Sequence, residues 1–213
     1  MLNKISYRIA TVDDIEELRE LLTIIFTRDE PFIKGWINDD PVPEDIEFTL
    51  SDRIGSSFVA IDNSKNKIVG ACMTCVEDRK TVRETLNEAD NTPNKKWAQY
   101  LRLYARIDLN ANIFERYDVD QLFHVSALAV DADYRGLSIA SNLVEKTFQL
   151  GKAKGHKLCS INCSSIFIEK IAVKMKMECV GVLAMADIKD EKGKRLIFPE
   201  QPHTHIRTYV KKL

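Results

Sequence analysis

One stretch constrains this chain more than any other: HVSALAVDADYRGLSIASNLVEKTFQ, residues 124–149. An apolar run stops at an acidic loop, and residues at helical spacing follow at once, which predicts strand, loop and helix in direct succession. A helix that begins inside the loop leaves its first N–H groups without helical partners. Together with the helix dipole, those groups suit an anion such as a pyrophosphate. Gly136, Ser138 and Ala140 are small enough to let a ligand reach the backbone, and Arg135 adds charge. The loop Arg135-Gly136-Leu137-Ser138-Ile139-Ala140 has neither the Gly-Lys-Ser/Thr of a Walker sequence nor three glycines at dinucleotide spacing. The competing reading is an ordinary strand-to-helix connection that binds nothing. Ser138 replaces a glycine that a second tight position would favour; at a helix start it is not expected to need positive φ, and its hydroxyl offers a further donor.

The rest of the chain fits an α/β frame around that unit. ISYRIA reads as a first strand, and TVDDIEELRELLTIIF as a helix with Ile15, Leu18, Leu21, Leu22 and Ile25 on one face. Thr11 is placed to cap it, with Asp14 a shorter capping-box partner than glutamate. EDIEFTLSDRI follows as a second helix; SSFVAID and KIVGACMTCVE form a hairpin across the turn-like NSKN. Arg79 to Asp120 is mainly helical, broken at Thr92-Pro93, with Trp97, Tyr100, Leu101, Tyr104 and Ile107 on one face. After the opening unit come the strand KLCSINC, a helix from about Ser165 to Met177, the strand CVGVLAMADI and a closing strand in THIRTYVKKL. With no repeat or linker, residues 1–213 read as one α/β domain with a mixed sheet of about seven strands.

Composition excludes several functions. A formal net charge of −1, with basic residues dispersed, argues against a nucleic-acid surface. No apolar run approaches a membrane span, and MLNKISYRIATVDD lacks the apolar core of a signal peptide, so a cytoplasmic protein is expected. Cys72 and Cys75 form a C-x-x-C within a strand, where an odd separation turns the side chains to opposite faces. Buried thiols, rather than a metal site, are expected, and no metal cofactor is implied.

AVDADYRGLSIASNLVEK resembles motif A of the GNAT superfamily of N-acetyltransferases, with Arg135 first, Ser138 in place of the glycine and Ala140 last. The resemblance implies the GNAT fold and a site for the pyrophosphate of acetyl-CoA. Three more segments resemble the insect arylalkylamine N-acetyltransferases: FTRDEPFIK (an Asp-Glu-Pro loop), NANIFERYDVDQLFHVSALAVD and INCSSIF (a Cys-Ser-Ser element). That branch implies acetyl transfer from acetyl-CoA to a small primary amine such as dopamine, serotonin or tyramine. A polyamine or other aliphatic amine, and a non-catalytic acyl-CoA-binding module, are the alternatives. The sequence sets no oligomeric state.

The resemblance assigns roles residue by residue. Glu30 matches the proposed general base, against the alternative of a solvated charge cluster. Ser164 matches a serine that supplies a proton, and a helix N-cap is a compatible second role. The branch's second serine corresponds to Ile168, which cannot transfer a proton. Backbone N–H groups of Leu128, Ala129 and Val130 are implied as donors to the thioester, since the fold splays this strand from its neighbour. Arg135, Gly136, Leu137, Ser138, Ile139, Ala140 and Ser165 complete the implied cofactor contacts. Phe32, Trp36, Tyr104 and Phe114 lie in segments that cover the acceptor side, although aromatics at helical spacing are more often core. The acidic stretch NDDPVPEDIE is a further candidate for attracting a cationic amine.

Overall fold

The computed structural model describes residues 5–36, 42–50, 54–190 and 192–213. Among them, one sheet contains β1 (Ile5–Ile9), β2 (Phe58–Asp62), β3 (Lys67–Asp78), β4 (Gln121–Val130), β5 (Leu158–Cys163), β6 (Glu178–Ala184) and β7 (His205–Lys212). The order is β1-β2-β3-β4-β5-β7-β6, and only β4 and β5 run parallel. β7 is thus inserted between β5 and β6, pairing with β5 from Leu158↔Lys212 to Cys163↔Arg207. This is the mixed α/β sheet expected of the GNAT fold.

A parallel pair needs a crossover, and α7 (Ile139–Ala153) provides it. Its inward residues Ile139, Leu143, Val144 and Phe148 are buried against Val69, Cys72, Phe123 and Val125 on one face of the sheet. Gly70 lets the helix come close: a Cβ there would stand 3.0 Å from the Ile139 side chain and 3.3 Å from Leu143 Cδ1. The opposite face is covered by α1 (Ile15–Arg28) through Leu18, Leu21, Leu22 and Ile25. Thr11 and Asp14 do meet at its entry. The Asp14 carboxylate accepts from Thr11 N–H at 2.7 Å and also takes the Arg8 guanidinium at 2.6 and 2.7 Å.

The middle region forms α4 (Thr81–Asn91), α5 (Lys95–Ala111) and α6 (Ile113–Tyr117). Asn94 caps α5 by accepting from Lys96 N–H and Trp97 N–H at 3.0 and 3.1 Å. On the expected face, Trp97, Tyr100, Leu101 and Ile107 are buried, while Tyr104 is half-buried at the edge of a cleft.

Three boundaries differ from expectation. Pro31–Lys34 forms a short helix, α2, inside the charged loop, because proline suits a first helical position and Glu30 caps it. The second predicted helix is α3 (Pro43–Leu50); its extension through Ser51–Arg53, like Asn38, Asp39 and Asp40 of the acidic stretch, lies outside the described residues. β6 stops at Ala184, where a single helical turn at Met185–Asp187 replaces the expected strand end. The helix after β5 is α8 (Ile166–Lys174), ending where Lys176 takes a left-handed φ of 56°.

Cys72 is buried under α7 and Cys75 lines the cleft on the other face, so the two thiols point apart. Among the described residues no helix is long and apolar enough to cross a membrane.

Leu143 is fully buried between α7 and the sheet. Leu143→Ala is expected to lower unfolding free energy by about 3 kcal/mol, read from the urea midpoint. A loss below roughly 1 kcal/mol would mean α7 is not seated as described.

Candidate active site

β4 and β5 are paired only from Phe123↔Cys159 to Val125↔Ile161 and separate beyond that point. A bulge adds to the divergence. Thr74 pairs with Val125 and Met73 with Ala127, which leaves Ser126 as an extra residue on β4. A cleft of about 530 Å³ opens there. Its walls include Glu30 and Phe32 beside α1, Leu103, Tyr104 and Asp108 of α5, His124 to Leu128 of β4, and Ser164 and Ile168 after β5.

Glu30 and Ser164 come from distant segments and meet in this cleft. Burial pushes the Glu30 carboxyl above the usual carboxylate range, while a hydrogen bond with Ser164 and the Phe32 N–H pull it back. The Phe32 N–H lies 3.3 Å from Glu30 Oε1. The neighbouring serines divide two roles that the sequence assigned jointly to Ser164. Ser165 is the N-cap of α8, its hydroxyl accepting from Phe167 N–H at 3.3 Å, and Ser164 is left to face Glu30. Ile168 lines the same cleft and packs into the main core, so its place is apolar wall.

On the α7 side, the strand-loop-helix unit forms as expected but with a different backbone. Ser138 has φ 62° and ψ 14°, in the left-handed region, which corrects the expectation that it needs no positive φ. The cause is the short path from β4 to α7. Gly136 at φ 78° and Ser138 both turn the chain so that Ile139 can enter the core. A serine there costs roughly 1 kcal/mol more than glycine. Space beside Gly136 is open, since a Cβ there would meet nothing within 4 Å. Leu137 is exposed, and the N–H groups of Ile139, Ala140 and Ser141 begin the helix without intrahelical acceptors. Arg135 bridges this loop to the Glu30 segment: Nη2 lies 2.5 Å from Asp29 Oδ2 and Nε donates to Val130 O at 3.3 Å. Arg28 and Arg135 together hold the Asp29 carboxyl down at about 2. The cradle is open, backbone-rich and flanked by an arginine, and it fits a pyrophosphate.

Between cradle and cleft lie the amides of β4. Asp131 N–H donates to Val69 O at 3.0 Å. By the alternation of an antiparallel ladder, Ala129 also turns its N–H toward β3, whereas Leu128 and Val130 turn theirs toward the gap left by β5.

Of the four aromatic candidates, Phe32 and Tyr104 line the cleft, joined by Phe26 and Phe48, which sequence reasoning missed. Trp36 and Phe114 do not. Trp36 is buried against Tyr100, with ring centroids 4.6 Å apart, and Phe114 packs with Ile113 and Val119 near the far ends of β4 and β5. Helical spacing placed them correctly as apolar residues but carried no signal about which cavity they face.

A polar group at the inner end of the cleft was also missed. His124 Nδ1 lies 2.8 Å from Ser160 Oγ and 3.8 Å from Glu77 Oε2. Asp108 lies near both, and burial, followed by the Glu77 charge, pushes its carboxyl up to about 7. These residues come from α5, β3, β4 and β5, so no sequence spacing links them. Among the described residues no group of three or more histidine, cysteine or acidic side chains is arranged to hold a metal ion.

Residues 15–166 match the model of the acetyltransferase (GNAT) family. The chain is similar to a mosquito arylalkylamine N-acetyltransferase like 5b, with 33% identity, 98% of this chain and 100% of that one covered, and a TM-score of 0.92. It is also similar to the Drosophila melanogaster polyamine N-acetyltransferase that catalyses the formation of N-acetylagmatine, at 28% identity, 98% and 100% coverage and a TM-score of 0.90. An Aedes aegypti arylalkylamine N-acetyltransferase 2 shares the fold at 22% identity, 99% coverage of each chain and a TM-score of 0.87.

Ser138 provides the test of the cradle. Ser138→Gly is expected to keep acetyl-CoA affinity within a few-fold, by titration calorimetry, because glycine adopts the left-handed conformation freely. Ser138→Asn, which tolerates that conformation, separates strain from bulk. A ten-fold or greater loss of affinity at an unchanged Tm is expected if the backbone approaches the ligand here, as is a larger loss for Ser138→Leu. Full affinity in Ser138→Leu would remove the cradle from the binding site.

Proposed function

The chain belongs to the acetyltransferase (GNAT) family, and from that premise we propose that it is an acetyl-CoA-dependent N-acetyltransferase of a small primary amine. The observation that carries this reading is the meeting of Glu30 and Ser164 in the cleft where β4 and β5 part. When bound, acetyl-CoA supplies the thioester whose acetyl group the amine receives. The first turn of α7 and the Gly136–Ser138 loop hold its pyrophosphate through backbone N–H groups, with Arg135 adjacent.

Glu30 is the general base. An alkylammonium must lose a proton before it can attack, and a carboxyl whose pKa is raised by burial is a better acceptor for that proton than an exposed one. Ser164 Oγ, hydrogen-bonded to Glu30, holds the hydroxyl proton that can be returned to a leaving group and refilled from Glu30. The outward N–H groups of Leu128 and Val130 are the donors for negative charge developing on the acetyl oxygen. Ile168 offers no second hydroxyl, so this proton path runs through Ser164 or water.

Phe26, Phe32, Phe48 and Tyr104 give the cleft an aromatic lining that supports an arylalkylamine acceptor. The carboxylates Glu77 and Asp108 at its inner end favour a second reading, an aliphatic amine with more than one charge. The expected setting is cytoplasmic.

Glu30→Ala is expected to lower kcat/KM for an accepted amine by about 10²- to 10⁴-fold, with acetyl-CoA affinity kept within a few-fold. Glu30 acts deprotonated, so wild-type kcat/KM should fall as pH drops through its pKa. That acid limb should lie above the ordinary glutamate value of about 4.3 and be absent from the residual activity of Glu30→Gln. Unchanged activity in both Glu30→Ala and Ser164→Ala would sink these roles. If no amine in a broad panel releases CoA while acetyl-CoA still raises Tm, the chain is a binding module instead.

A further inference from the structure

The inner end of the cleft holds charged groups that the chemistry of Glu30 and Ser164 does not use. Asp108 reaches it from α5, Glu77 from β3 and His124 from β4. Asp108 is the informative residue. Asp108 is half-buried, burial disfavours its charge, its carboxyl accepts a hydrogen bond from Asn162, and it faces no lysine or arginine among the described residues. Asn162 is itself oriented, because its Oδ1 accepts from Thr208 Oγ1 at 2.7 Å, which leaves the amide NH2 for Asp108. Elsewhere in the cleft lining, the buried Ser126 Oγ has no hydrogen-bond partner among the described residues. The cleft lining therefore holds a carboxyl fixed by a neutral amide, and separately a buried hydroxyl with no partner among the described residues.

A carboxylate taken from water and held by a neutral amide gains most from a cation that arrives with a ligand. The described cleft lining is consistent with such a guest. It includes Glu30, Asp45, Glu77, Glu84, Glu88 and Asp108, whereas His124 is the one basic side chain among the described residues there. Resting on the acetyltransferase reading above, we propose that Asp108, flanked by Glu77 and His124, anchors a second cationic group of the acceptor. The acceptor is then a primary amine that carries an ammonium or guanidinium at its far end.

The spacing suits such a molecule. His124 and Ser160 each precede the reaction end, at Leu128 and Ser164, by four residues on their strands. At roughly 3.3 Å per residue the backbone separation is about 13 Å, and the side chains at both ends shorten it. An extended aliphatic chain spans that gap, with its primary amine at Glu30 and its distal cation at Asp108. The aromatic walls between them cover its methylenes.

The test compares amines with one and two charges. CoA release is measured for agmatine and spermidine, and for n-hexylamine and phenethylamine. The wild type should use at least one of the dications with a kcat/KM about ten-fold or more above n-hexylamine, the gain expected of a charge-assisted contact. Asp108→Asn should remove about ten-fold of that advantage through KM, while leaving both monoamines within three-fold. The variant is expected to fold. Burial disfavours the ionised Asp108, whose folded pKa near 7 exceeds its unfolded value, so removing the charge should raise Tm more at pH 8 than at pH 5. Equal use of n-hexylamine and the dications by the wild type overturns the proposal without any variant. So does an equal loss for all four amines in Asp108→Asn. These results leave the acetyltransferase reading standing, whereas acetylation of no amine removes both.

Discussion

The separation of β4 from β5 is the constraint on which the rest of the molecule depends. Parallel pairing lasts for three residue pairs, and then the extra residue Ser126 turns β4 away. A sheet interior normally satisfies its own backbone, and an open gap in it would be costly without a use for the freed amides. Here the gap joins two surfaces of one sheet. The α7 cradle lies on one side, and the cleft with Glu30 and Ser164 on the other. In the proposed function, acetyl-CoA is held by its phosphates on the first face and presents its thioester to the second.

Two contacts fit the loops to that gap. Arg135 ties the cradle loop to Asp29, one residue before Glu30, so that loop and the Glu30 carboxyl are mechanically adjacent. Glu30 in turn caps the short α2 through Phe32 N–H and takes its second contact from Ser164. The carboxyl is thus held by groups from both sides of the cleft, and its raised pKa follows from the same burial that positions it. Glu30 is a helix cap and a candidate base at once.

Much of this was legible in the sequence, for identifiable reasons. Strands and helices with strong periodicity, such as α1 and α5, emerged with the expected faces inward. The opening unit and the two residues Glu30 and Ser164 were legible because local motifs carry them. Ser138 was misread because φ depends on where the chain must go after the loop, and only the burial of Ile139 fixes that. Trp36 and Phe114 pack away from the cleft, a difference the sequence could not show because apolar periodicity reports burial without naming the neighbour. The Asp108, Glu77 and His124 group was invisible for the opposite reason, since its members share no segment and meet only through sheet register and the packing of α5 on the sheet.

The place of β7 bears on how such a chain is made. β5 carries Ser164 at its end, yet its second neighbour is β7, which lies more than forty residues later and separates it from β6. During synthesis the earlier strands and α7 can assemble while that edge of β5 has no partner. An open edge of apolar, thiol-bearing sequence (Leu158-Cys159-Ser160-Ile161-Asn162-Cys163) is then exposed until residues 205–212 leave the ribosome. The wall of the cleft that bears Ser164 is consequently among the last parts of the molecule to become rigid, and a nascent chain stalled before β7 would offer a sticky strand rather than a half-built catalyst.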